Sequence, residues 1–194
     1  MIDDGYVNYF EVLELGEDCK PGEVRNNYKR LIKNLLLEIS RVQITESRRD
    51  AFLLDIAKHN AAFYILRDND LRQRYADDRA AVIALEDAWQ KAAESNSPEL
   101  DTCRRKFDAA LRHFLSRYME ELVLQAGRDK ECVEASHWSR AHERHASRVL
   151  RHFRQRVYHQ IQERLPYYEV TKPDLNWDER KSLVQSMLKQ GSAV

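Results

Sequence analysis

The chain has 194 residues, 43% of them hydrophobic and 33% charged, with basic and acidic residues equal in number. Zero net charge supplies no global field to draw it to nucleic acid or to a membrane surface, so any electrostatic function has to be local. Five glycines and four prolines are too few for a many-turned β-sandwich, and the charge-rich mixture suits amphipathic helices with solvated outer faces.

The N-terminus, Met1-Ile2-Asp3-Asp4-Gly5, is acidic and lacks the apolar run of a signal peptide. No stretch approaches the ~18 apolar residues of a membrane span. Cys19, Cys103 and Cys132 are odd in number, far apart and without a CxxC pair. Neither a disulfide framework nor a structural zinc site is expected, and the simplest reading is a reducing, cytoplasmic setting.

Residues 1–23 set seven acids against Lys20 alone. A first helix is expected over Tyr6–Leu13. Pro21 suits the first turn of a second helix, where its missing N–H costs nothing. Val24, Tyr28, Leu31, Leu35 and Ile39 recur every three or four residues and carry that helix to Ile39 or a little beyond. Ser40–Ile44 reads as a connector, with Thr45 and Glu46 as cap and first-turn acid of a third helix. Phe52, Ile56, Phe63 and Leu66 mark the face of that helix, and Asn69-Asp70 breaks it. A helix from Leu71 is expected to continue through Asp77-Asp78 into Ala80–Glu94.

Glu94–Pro98 is a further break, with Ser97 as N-cap and Pro98 as first helical residue. Cys103, Phe107, Ala110, Leu111, Phe114, Tyr118 and Leu122 then stripe a helix ending at Gly127, a candidate left-handed terminator. Asp129 caps another helix bearing Trp138, Val149, Phe153, Val157, Ile161 and Leu165 before Pro166. Together the two read as an antiparallel hairpin ~40 Å or more long. Asp178–Lys189 is expected to form a last helix, with Leu183, Val184, Met187 and Leu188 on one side.

The first 77 residues resemble a J domain, the module of DnaJ-like co-chaperones. The family opens with Asp-Tyr-Tyr-x-x-Leu, echoed by Asn8, Tyr9, Phe10 and Leu13. It closes its third helix with Ala-Tyr-x-x-Leu-x-Asp, matched by Ala62, Phe63, Leu66 and Asp68. Its fourth helix reads Arg-x-x-Tyr, and Arg72 and Tyr75 stand at that spacing. Basic residues usually line the family's second helix, a habit kept by Arg25, Lys29, Arg30 and Lys33. The resemblance implies that these four face a protein partner, a heat-shock chaperone.

One departure outweighs the matches. The family's His-Pro-Asp loop should fall at Leu36-Leu37-Glu38, and no His-Pro-Asp occurs anywhere in the chain. In the family that tripeptide makes an ATP-driven chaperone hydrolyse its nucleotide. Two leucines and a glutamate cannot reproduce an imidazole, a rigid turn and a carboxylate. His59 is a second departure, since the family usually has an aliphatic residue there. It reads as a partly buried histidine hydrogen-bonded to a neighbour.

The strongest chemical bias lies over residues 137–159. Arg140, Arg144, Arg148, Arg151, Arg154 and Arg156 stand there against Glu143, together with five histidines. Three readings are open: a solvated face pairing with acidic neighbours, a docking surface for an acidic protein partner, or a nucleic-acid contact. The last lacks both net positive charge and a named motif. An acidic segment of this chain's own N-terminus is one candidate for the second. Cys132, His137, His142 and His145 fall roughly a turn apart, but HExH is not the HExxH of a zinc protease and no second ligand strand is evident. No phosphate loop, GxGxxG or GxSxG is present.

The sequence thus reads as all-α, with a J-like domain at 1–77 and a helical C-terminal region at 78–194 containing the hairpin. The expected function is a non-enzymatic, chaperone-related adaptor that engages a chaperone or client without stimulating its ATPase. It needs neither metal nor cofactor. Alternatives are a nucleic-acid-associated protein using the arginine-rich segment, and a helical scaffold whose J-like resemblance is only ancestral. The J-like register predicts one core of Tyr9, Leu13, Tyr28, Leu31, Ile56, Phe63 and Leu66.

Overall fold

The computed structural model describes residues 6–41, 45–95, 97–163 and 181, and among them there is no strand. The all-α expectation therefore stands. The helices are α1 (Tyr9–Val12), α2 (Pro21–Arg41), α3 (Glu46–Leu66), α4 (Asn69–Glu94), α5 (Leu100–Ser116), α6 (Leu122–Ala126), α7 (Lys130–Ser136) and α8 (Arg140–Glu163). A π-helical segment, Arg117–Glu121, joins α5 to α6. The expected last helix, Asp178–Lys189, lies outside the described residues apart from Lys181.

Local chemistry sets most boundaries. Asn8 caps α1 by accepting from the Phe10 N–H, so α1 begins at Tyr9 rather than Tyr6. Pro21 opens α2, and the Glu23 carboxylate accepts from the Lys20 N–H at 2.8 Å. Asp68 accepts from the Leu71 N–H, so α4 starts at Asn69 and the break before it falls at Arg67-Asp68. Thr45 sits at the α3 N-cap without a side-chain bond to the helix. Ser97 accepts instead from Glu99 N–H, and α5 starts at Leu100, two residues beyond the expected Pro98.

α3 is the central helix. Its second half buries Ile56, Ala57, Asn60, Ala61, Ala62, Phe63, Ile65 and Leu66, which occupy every side of the helix rather than one stripe. α1, α2 and α4 pack against it, and so do α6, α7 and α8. Tyr28 of α2 stacks on Phe63 with centroids 4.3 Å apart and planes 10° apart. Most of the expected core forms here. Leu31 is only partly buried, and Ile32 takes the inward position because α2 turns that side toward α3 and α7.

The residue-77 division falls inside α4, and buried side chains before and after it belong to one cluster. Its seam is aromatic. Tyr75 accepts from the Tyr9 N–H at 3.1 Å and donates to the Val7 carbonyl. Its ring lies 5.2 Å from both Tyr9 and Tyr118. Tyr9 donates its hydroxyl to the Tyr118 carbonyl, and Tyr118 donates to Asp78 at 2.6 Å. That carbonyl belongs to the π-helical segment. Arg72, the other half of Arg-x-x-Tyr, donates to the Cys19 carbonyl at 3.0 Å and ties down the loop before α2.

The hairpin is present, with one arm broken. α8 runs antiparallel to α5 and α6: Tyr158 donates to Asp108 at 2.6 Å, Arg154 meets Glu120 at 2.9 Å and Arg128 meets Glu143 at 3.0 Å. The second arm is not one helix from Asp129. Asp129 caps α7 through the Cys132 N–H, and α7 ends after one more turn at His137, which is left-handed with φ 53°. The break lets α7 fold onto α2 and α3 while α8 continues along the hairpin. Gly127 is right-handed at φ −65°, not the expected left-handed terminator. Its reason is close approach: a Cβ there would stand 3.0 Å from the Trp138 indole nitrogen.

Candidate functional site

The outward face of α2 carries the four basic residues at helical spacing, and the structure divides them. Arg25 makes a two-pronged contact with Glu131 of α7 at 3.0 and 3.3 Å. Arg30 pairs with Glu14 in the turn after α1. Among the described residues, Lys29 and Lys33 form no ion pair. These two line a shallow groove of about 510 Å³ with Ile32, Leu36, Leu37, Ser40, Ala135 and His137. Leu37 stands 45% exposed beside them, the exposed large hydrophobic of the described chain. Two cations around an accessible leucine can receive an acidic surface with an apolar contact of its own.

The residues at the expected loop position have a definite place. Leu36, Leu37 and Glu38 lie within α2, which continues unbroken to Arg41. Three residues in a regular helix present side chains on three sides. They do not form a turn that aims an imidazole and a carboxylate together.

A buried polar network holds α7 as one wall of the groove. Tyr28 donates to Asn60 Oδ1 at 2.8 Å, and Asn60 Nδ2 donates to Ser136 Oγ at 3.0 Å. Ser136 in turn donates to the Cys132 carbonyl at 2.7 Å, and the Cys132 thiol contacts the Asn60 carbonyl at 3.6 Å. Burial first, with Asp129 second, pushes the Cys132 thiol well up, so it is a packing group and not a nucleophile. The outer side of α7 is pinned by Arg67, whose guanidinium fork takes both Asp129 oxygens at 2.6 and 3.0 Å.

Compared with family models, with curated proteins and with solved structures, the chain matches none. The functional reading therefore rests on the geometry.

The arginine-rich segment is split in the same way. Residues 137–139 precede α8, so it is not one helix from 137. Arg148 holds both oxygens of Asp50 at 3.0 and 3.1 Å. Arg151 and Arg154 converge on Glu120 at 3.9 and 2.9 Å. Arg156 lies 5.6 Å over the Phe153 ring. Among the described residues, Arg140 and Arg144 form no ion pair. Of the candidate docking arginines Arg140, Arg144, Arg148, Arg151 and Arg154, the last three thus already meet carboxylates of α3 and the π-helical segment. Among the described residues, none of these three meets an acid of the N-terminal stretch.

His59 is partly buried with its Nδ1 2.8 Å from the Asp55 carbonyl, as expected. Sequence reasoning missed the roles of Asn60, Ser136 and Glu120. Asn60 alone carried a signal, an amide amid Ala57, Ala61 and Ala62 on an apolar helix, which calls for a buried partner. No helix of the described residues is long and apolar enough to cross a membrane.

Proposed function

We propose that the chain is a cytoplasmic, non-enzymatic protein-interaction module, a J-like adaptor that engages a chaperone or its client without stimulating ATP hydrolysis. The observation that carries this reading is the uninterrupted α2. Its basic face keeps Lys29 and Lys33 available to an acidic partner, while positions 36–38 are helical. Attraction without activation follows. Acceleration requires contacts made only in the activated state, and a helix bearing Leu36, Leu37 and Glu38 offers none of the family's.

Single-turnover ATP hydrolysis by a cytoplasmic heat-shock ATPase, with and without saturating protein, tests the proposal. The expected result is an unchanged rate, with weak, salt-sensitive binding that Lys29→Glu plus Lys33→Glu abolishes. A reproducible acceleration removes the non-activating reading. Binding insensitive to both lysines removes the assigned face. The ion-paired state of Arg148, Arg151 and Arg154 supports no nucleic-acid reading.

A further inference from the structure

A second groove shares no lining residue with the α2 face. It lies among the end of α2, the first half of α3 and the first turns of α8, and encloses about 400 Å³. Its floor is apolar: Ile39 from α2, and Phe52, Leu53 and Ile56 from α3. Leu53 and Ile56 are buried, whereas Ile39 and Phe52 are only partly so and keep apolar surface in water. Covering that surface is favourable for any partner with complementary side chains.

The rim carries two arginines and two histidines. Arg49, His142, His145 and Arg148 stand around Asp50, and Asp50 is already engaged by Arg148. Arg49 forms no ion pair among the described residues. Arg140 and Arg144 precede Arg148 at four-residue intervals, so the three fall along one stripe of α8. Glu143, the acid of that stretch, is drawn away to Arg128. Burial lowers the His142 pKa, which leaves a neutral ring beside the floor near pH 7.

We infer that this groove docks an acidic amphipathic helix of a protein partner, its large apolar side chains on the α3 floor and its carboxylates on Arg49 and Arg144. The walls decide the form of the ligand. All are helices whose backbone groups bond internally, so an extended peptide finds no edge to pair with, whereas helix-in-groove docking needs only apolar anchors at i, i+4 and i+7. The floor decides against nucleic acid, because a phosphate backbone gains nothing from Ile39, Leu53 and Ile56. This site is independent of the adaptor reading and of Lys29 and Lys33.

The test uses the full chain and a fluorescein-labelled designed peptide of about 18 residues, long enough to populate a helix. The peptide carries Leu, Phe and Leu at i, i+4 and i+7 and Glu or Asp on its flanks. Anisotropy should report binding with a Kd on the order of 10 µM at near-physiological salt. Arg49→Glu with Arg144→Glu, both exposed and outside the core, should weaken it at least about tenfold, as should Phe52→Ser with its fold verified by circular dichroism. Lys29→Glu with Lys33→Glu should leave it unchanged, so this site and the adaptor face fail separately. A photo-crosslinking side chain at the exposed position His145 should label the peptide. Equal affinity for a lysine-flanked peptide, or for an acidic peptide with scrambled apolar positions, overturns the proposal. So does crosslinking, without peptide, to residues 164–194 or to a second copy, which would assign the groove to the chain itself.

Discussion

Asn60 of α3 donates to Ser136 of α7 at 3.0 Å across 76 residues of sequence, while its side-chain oxygen accepts from Tyr28 of α2. One buried amide therefore joins three helices and fixes α7 beside the basic face of α2. Replacing it with alanine leaves the Tyr28 hydroxyl only the Cys132 carbonyl at 3.5 Å and takes from Ser136 Oγ its buried donor. Asn60→Ala is expected to cost about 2–4 kcal/mol in urea unfolding. A double-mutant cycle with Ser136→Ala should give coupling of at least about 0.5 kcal/mol. Additive effects would mean α7 is held by packing alone.

Phe63 is fully buried between the Tyr28 ring at 4.3 Å and the Arg67 guanidinium at 5.1 Å. Phe63→Ala removes that stack from the centre of α3 and should cost about 3–5 kcal/mol. A loss below about 1 kcal/mol would contradict the packing of α2 on α3.

Gly127 separates two explanations of one residue. Were it a left-handed terminator, alanine would suffer from φ whatever surrounds it. At φ −65° the obstacle is instead the Trp138 indole, whose atoms stand 3.0 and 3.2 Å from where an alanine Cβ would sit. Gly127→Ala should destabilise by about 1–3 kcal/mol in the wild type. In a Trp138→Ala background the same change should become neutral or stabilise by about 0.4–1 kcal/mol, because alanine restricts the unfolded chain.

Asp129 links stability to acid. Burial on its own raises the carboxyl, but bonds from Arg67 and the Cys132 N–H outweigh it and hold the pKa below the usual range. A carboxyl lowered by folding contributes stability above its unfolded pKa of about 3.9, and that contribution is lost as pH falls through the folded value. Asp129→Asn should therefore lower stability at neutral pH and flatten the decline below about pH 4. Asp108, also lowered, keeps part of that decline in the variant. An acid limb identical to wild type would show that the Arg67 contact contributes nothing.

Much of the fold was legible because helix signals are local. Pro21, Asp68 and Asp129 act on backbone groups within three residues, so their boundaries could be read directly or within two positions. The Tyr28 and Phe63 positions followed from a period that needs no knowledge of the partner helix. The α2 basic face was likewise visible as spacing. Which of its cations remain available was not, because Arg25 and Arg30 are claimed by Glu131 and Glu14, distant in sequence.

By itself the sequence determined an all-α fold, the first four helices in order and the absence of a His-Pro-Asp loop, since periodicity, caps and residue identity are properties of neighbours along the chain. Only the tertiary structure decided that the second half of α3 is buried on every side, that α7 breaks from the hairpin at His137 to wall the α2 groove, and that Arg148, Arg151 and Arg154 turn toward Asp50 and Glu120. Those outcomes depend on which surfaces meet across the core. A side chain's charge or polarity states what partner it needs, and the packing of distant helices decides whether the partner is already in the molecule.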